Sequence, residues 1–148
     1  MNLDIQEKNY TPALERVKSE MAGKPDAPQL WLLLARIYDA QKDNAHTESS
    51  RLKAIEMDPN LRNGYLMLAQ LYVDEHKEQQ ALDRLNTLVA KTNDTAVLMQ
   101  IAMIHDQLKQ LPEACAAYEK LLTVNSNFSP ALNNLAYLYS EKFNQIDK

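Results

Sequence analysis

Four alanines set the period of this chain. Ala35, Ala69, Ala102 and Ala136 lie 34, 33 and 34 residues apart, and each closes a copy of one pattern. The copies are Trp31, Leu34, Ala35, Tyr38; then Tyr65, Leu68, Ala69, Tyr72; then Leu98, Ile101, Ala102, His105; then Leu132, Leu135, Ala136, Tyr139. Within a copy the steps of three and four place the residues on one face of a helix. A unit of this length, met four times in register, implies a stacked helical array in which each repeat packs on its neighbours.

The fullest unit runs from Trp31 to Pro59. It reads as two short helices broken near Lys42–Asn44 and closed by Pro59-Asn60. Further helices are predicted over about 62–75, 78–91, 95–108, 111–124 and 130–143. Thr11-Pro12 and Ser129-Pro130 look like helix starts, because Thr or Ser can cap free N–H groups and Pro fits the first turn. Gly23 ends the first of these helices, and Met1, Leu3 and Ile5 read as the tail of an earlier one. The turn at Thr92–Thr95 is one residue shorter than its counterparts and lacks their proline, so a different conformation is expected there. The helix over 44–57 is unusually polar. Leu52, Ala54 and Ile55 are its main buriable residues, Ser49-Ser50 reads as a solvated face, and it is expected to be the least well anchored.

Composition narrows the function classes. Only two glycines occur, apolar residues make up 45% and charged residues 24%, which suits a helical globular chain. The net charge is −4 and the 16 basic residues are scattered, so the basic stripe of a nucleic-acid groove is missing. The longest apolar run, Leu30–Ala35, is far too short to span a membrane. Cys115 is the single cysteine and reads as a packed thiol in a small-residue patch. His46, His76 and His105 have no helical spacing that would make a metal site, and His105 reads as a satisfied core histidine. No glycine-rich phosphate loop and no convergent nucleophile–base set appears, so no enzyme and no cofactor is expected.

The pattern resembles the tetratricopeptide repeat, a helix–turn–helix unit of about 34 residues. Trp31, Leu34, Tyr38 and Pro59 stand where that family has its Trp, Leu, Tyr and Pro, and the four alanines replace its small glycine. Ala13, Ala81 and Ala114 match the small residue of the second helix. The aromatic four residues on is met by Tyr118, with Val17 and Leu85 as apolar substitutes, while Thr47 and Arg51 depart from both positions. The resemblance implies an all-α, right-handed α-solenoid of antiparallel helix pairs. It divides the chain into a partial repeat 1–27, repeats 28–61, 62–94 and 95–128, and a lone first helix 129–148, as in a fragment of a longer protein.

It also implies a groove lined by the first helices. The expected groove residues are Leu32, Arg36 and Asp39; Asn63, Leu66, Gln70 and Val73; Met99, Met103 and Asp106; and Asn133 and Tyr137. These are off the core stripe, yet several are apolar and two are methionines, the adaptable side chains that peptide grooves use. The positions with which some relatives grip a C-terminal carboxylate hold Leu32, Arg36, Met67, Ala96 and Gln100 here. Only Arg36 is basic, which argues against that partner class. Asn134 fits a ladder of asparagines that other relatives use to hold peptide backbone, and Gln100 is a longer amide. The expected function is a non-catalytic protein–protein interaction scaffold binding a peptide segment. The alternatives are a structural spacer or self-assembly segment, and the arm of an enzyme whose catalytic domain lies elsewhere. The expected partners are a protein or peptide, with self-association through the chain ends, and no nucleic acid or membrane insertion; the cytoplasm is the default compartment.

Overall fold

The computed structural model describes residues 9–146, with side chains to residue 141. Met1, Leu3 and Ile5, and the side chains of Phe143 and Ile146, lie outside the described residues. Among the described residues eight helices follow one another: α1 (Tyr10–Gly23), α2 (Pro28–Ala40), α3 (Asn44–Met57), α4 (Arg62–Asp74), α5 (Glu78–Thr92), α6 (Thr95–Gln107), α7 (Leu111–Val124) and α8 (Ser129–Ile146). The fold is all-α, an α-solenoid of antiparallel helix pairs. The chain forms two compact units, Met1–Leu71 and Tyr72–Lys148, with the division inside α4. No described helix is long and apolar enough to cross a membrane.

One turn recurs at the repeat period. The turns after α2, α4 and α6 each place a non-glycine residue in the left-handed region: Lys42 at φ 61°, His76 at φ 57° and Lys109 at φ 58°. At each turn two backbone bonds satisfy the last carbonyls of the helix. Asp43 N–H donates to Tyr38 O at 2.9 Å, Lys77 N–H to Tyr72 O at 2.7 Å and Gln110 N–H to His105 O at 2.9 Å. The left-handed residue itself donates to Asp39 O, Val73 O or Asp106 O at 2.9–3.0 Å. This double bond pattern is the Schellman closure, which usually selects glycine at the left-handed position. After α2 the next residue also caps α3. Asp43 accepts from His46 N–H at 3.1 Å, and the His46 ring stacks on Tyr38 at 4.8 Å.

The turn between α5 and α6 does differ. After α1, α3 and α7 the residue following the helix is extended or nearly so (Lys24, Asp58, Asn125). After α5 it is Asn93, left-handed at φ 48°, and Asp94 then caps α6 by accepting from Ala96 and Val97 N–H. Asparagine tolerates this conformation, so the shorter connection is closed without proline or glycine. The other cap expectations shift slightly. α1 starts at Tyr10 with no side-chain cap, so Thr11 lies inside its first turn, and α8 starts at Ser129 itself.

The repeating stripe is the core. Ala35, Ala69 and Ala102 are fully buried, Tyr65, Leu68, Tyr72 and Leu98 nearly so, and Cys115 is buried. In the first unit Ala13 and Val17 of α1 pack with Leu34 and Ile37 of α2. Tyr10 ties the same two helices by donating from its hydroxyl to Ala40 O at 3.0 Å. Gly64 lies at a close approach of α4 to α3, for a Cβ there would sit 3.0 Å from Ile55 Cγ1. In α8 the stripe is only partly covered at the same register positions, where Leu135 alone is buried. Leu132 is 45% exposed, Tyr139 37% exposed, and Ala136 is exposed too, whereas Leu138 is buried.

Three expectations are corrected. Helix 44–57, our α3, is not loosely held: Thr47 and Arg51 are buried, and so is Ser50, which had read as solvated with Ser49. Leu52 is only half-buried. The helix manages this because Thr47 and Arg51 find partners. Thr47 Oγ1 donates to Asp43 O at 2.8 Å, and Arg51 reaches α4. His105 is not a core residue. It sits half-buried at the end of α6, with Nδ1 2.6 Å from Gln110 Oε1, where the Schellman turn brings residue 110 back over the helix end.

Candidate functional site

In the first unit the expected groove residues lie on α2 and α4. Arg36, Asn63 and Gln70 are exposed, and Leu32 and Leu66 are half-buried. Asp39 has a second role. Its Oδ2 lies 3.3 Å from Arg51 Nη2, while Arg51 Nη1 donates to Met67 O on α4 at 2.7 Å. The Asp39 side chain is 51% exposed and that of Arg51 only 5%, so the carboxylate links a solvent face to a buried cation. The guanidinium thus ties α2, α3 and α4 together, a role invisible in a pattern that expects an aromatic at this position.

In the second unit the expected residues lie on the end of α4, on α6 and on α8. Val73, Met99 and Asp106 are half-buried, Asn133 is exposed, Met103 is 45% exposed and Tyr137 62% exposed. Met103 and Tyr137 are the exposed large apolar residues of this surface, in contrast to the buried Leu98, Ile101 and Leu138 on the same helices. Tyr137 donates its hydroxyl to Glu141 Oε1 at 2.9 Å. That bond, the Glu141 charge, some desolvation and the Asp106 charge together hold the Tyr137 phenol above its ordinary pKa. Glu141 was missed by the groove expectation. Its signal was the i, i+4 spacing from Tyr137 on one helix.

Asn134 does not face an incoming backbone freely. Its Nδ2 donates to Tyr118 OH at 2.9 Å, joining α7 to α8. Tyr118 is fully buried, and burial, with a smaller push from the Asp106 charge, raises its pKa. Tyr118 and Arg51 occupy the same register position, 67 residues apart, and each reaches the next first helix, at Asn134 and at Met67.

Elsewhere in the second unit a polar hollow lies between the turns after α4 and α6, bordered by His76, Lys77, Leu108 and Gln110. It includes none of the expected groove residues. Among the described residues no three His, Cys, Asp or Glu side chains are grouped to hold a metal ion.

Stacked helix pairs with a bare first-helix face are the architecture of interaction repeats. The chain carries tetratricopeptide repeats: the sequence pattern of that repeat matches residues 28–61 and 95–128. No curated protein matches in sequence. Solved structures share the fold. MamA aligns with a TM-score of 0.72 at 19% identity, over 94% of this chain and 82% of that one. TTC0263, a tetratricopeptide-repeat protein of Thermus thermophilus, aligns at 0.69 and 18%, over 92% and 76%. The first such domain of Spaghetti (RPAP3), bound to the HSP90 peptide SRMEEVD, aligns at 0.65 and 21%, over 78% and 92%.

Proposed function

We propose that this chain is a non-catalytic protein–protein interaction scaffold that holds a peptide segment of its partner against the first-helix faces. In the first unit the face comprises Leu32, Arg36, Asp39, Asn63, Leu66 and Gln70. In the second it comprises Val73, Met99, Met103, Asp106, Asn133 and Tyr137. The observation that carries the reading is the exposure of Met103 and Tyr137 on helices that bury Leu98, Ile101, Ile104, Leu135 and Leu138. Apolar anchors of this kind dominate the affinity of an interface. The RPAP3 domain, similar in fold, is seen with a peptide bound.

Selection of a displayed random-peptide library on the wild-type chain tests it. Peptides so selected should lose binding to Met103→Arg and to Tyr137→Ser, with melting temperature unchanged because both side chains already face solvent. Equal binding to the variants would refute the assignment. A second reading, a self-assembly segment, is favoured by one observation: Leu132, Ala136 and Tyr139 are bare where their register partners are mostly covered. Sedimentation over a concentration series should then show association that Leu132→Glu abolishes. A monomer at all concentrations refutes it.

A further inference from the structure

We propose that the α6–α8 face of the second unit selects partner segments that carry arginine or lysine beside an apolar residue. The inference rests on the groove reading above and adds the chemistry of the occupant.

Two features meet on this face. Met99, Met103 and Tyr137 supply an apolar strip that is half-buried to exposed. Two carboxylates stand on the same two helices, Asp106 on α6 and Glu141 on α8. Glu141 accepts the Tyr137 hydroxyl at 2.9 Å. The Asp106 charge acts on the Tyr137 phenol in the same sense as the Glu141 charge. Among the described residues no lysine or arginine pairs with either of them. The contrast with the first unit is informative. There the aspartate at the same register position, Asp39, already faces the chain's own buried Arg51. In the second unit the register position of Arg51 holds the neutral Tyr118, which brings no positive charge to Asp106.

A cation arriving at Tyr137 meets an exposed aromatic ring whose hydroxyl is held by the Glu141 carboxylate, an arrangement that favours guanidinium and ammonium groups. The stem of an arginine or lysine is itself apolar and would lie along Met103.

Three short fluorescent peptides test the inference by anisotropy. They alternate leucine with arginine, with glutamine, or with glutamate. The arginine peptide should bind saturably and about tenfold more tightly than the glutamine peptide, the scale of one cation–aromatic contact plus partly exposed ion pairs. The glutamate peptide should bind most weakly. Asp106→Asn with Glu141→Gln should remove most of the arginine preference. Glu78→Gln with Asp83→Asn, an equal change of net charge on α5, should leave it. In the unaltered chain, high salt should shrink the preference, because these charges are solvent-accessible.

Equal binding of the arginine and glutamine peptides overturns the inference. So does loss of the preference in both double variants, since that would be attraction to net charge alone. If the glutamine peptide binds as well as the arginine peptide, and Met103→Ser abolishes both, the groove reading stands and only the charge selection falls. If no peptide binds this face, both fall.

Discussion

Arg51 is the place where α3 breaks its family's pattern, and the structure predicts an unusual order of mutant stabilities. The guanidinium is 5% exposed and held by Met67 O at 2.7 Å and Asp39 Oδ2 at 3.3 Å. Removing one partner of a fully buried ion pair costs about 3–5 kcal/mol, because the other charge is left desolvated. Asp39 is half-exposed, so water screens it, and the cost of Asp39→Asn falls to about 1–2 kcal/mol. Arg51→Met removes the charge altogether while keeping most of the side-chain volume. Apolar replacements of buried ion pairs are often neutral or stabilising, so the change should lie within about 1 kcal/mol of wild type. Arg51→Ala leaves a cavity and should lose about 2–4 kcal/mol. In the Arg51→Met background, Asp39→Asn should cost almost nothing, giving a coupling energy of about 1–2 kcal/mol. Urea unfolding followed by far-UV circular dichroism measures all four variants. If Asp39→Asn is silent in the wild type, or costs the same in both backgrounds, the buried cation does not depend on Asp39 and the argument fails.

The remaining predictions concern turns, packing and titration. Lys109→Gly should stabilise the chain by about 0.5–1 kcal/mol, since a left-handed residue pays a steric cost that glycine avoids, and a lower urea midpoint would contradict the turn geometry. Ala102→Leu should destabilise by about 1–3 kcal/mol because Ala102 is fully buried at a helix crossing, whereas Ser49→Ala on the solvent side should change little; equal effects would refute the register. Burial raises the Tyr118 pKa in the folded chain, so the unfolded chain ionises first and stability should fall as pH rises past about 10. Tyr118→Phe should weaken that alkaline loss, and an unchanged alkaline limb in the variant would speak against it. The backbone bond from His46 holds the Asp43 carboxyl below its ordinary value, so its contribution is present above that value and is lost as pH falls through the folded pKa. Asp43→Asn should flatten the acid limb of a helicity titration; an identical limb would show that the cap does not titrate.

The repeat, the helix order and the identity of the family were legible in the sequence. They rest on periodicity, and periodicity is a local property: Ala35, Ala69 and Ala102 had to be buried because a helix has only one face at those steps. The odd turn at Asn93 was legible for the same reason, since one residue fewer must close by a different backbone path. Other features required the packed chain. Ser50 read as solvated and Thr47 and Arg51 as departures from the pattern, and only the approach of α2 and α4 supplies the carbonyl and carboxylate that let Arg51 be buried. The left-handed turns at Lys42, His76 and Lys109 carry no glycine signal, because the two returning backbone bonds fix the conformation regardless of side chain. The likeness of Asp39 and Asp106 was visible as register, but their difference was not. One aspartate faces a buried guanidinium and the other a neutral phenol, and that depends on which side chain the neighbouring second helix brings across. A pattern records what each residue is; the charge left over on a surface is decided by which residues meet.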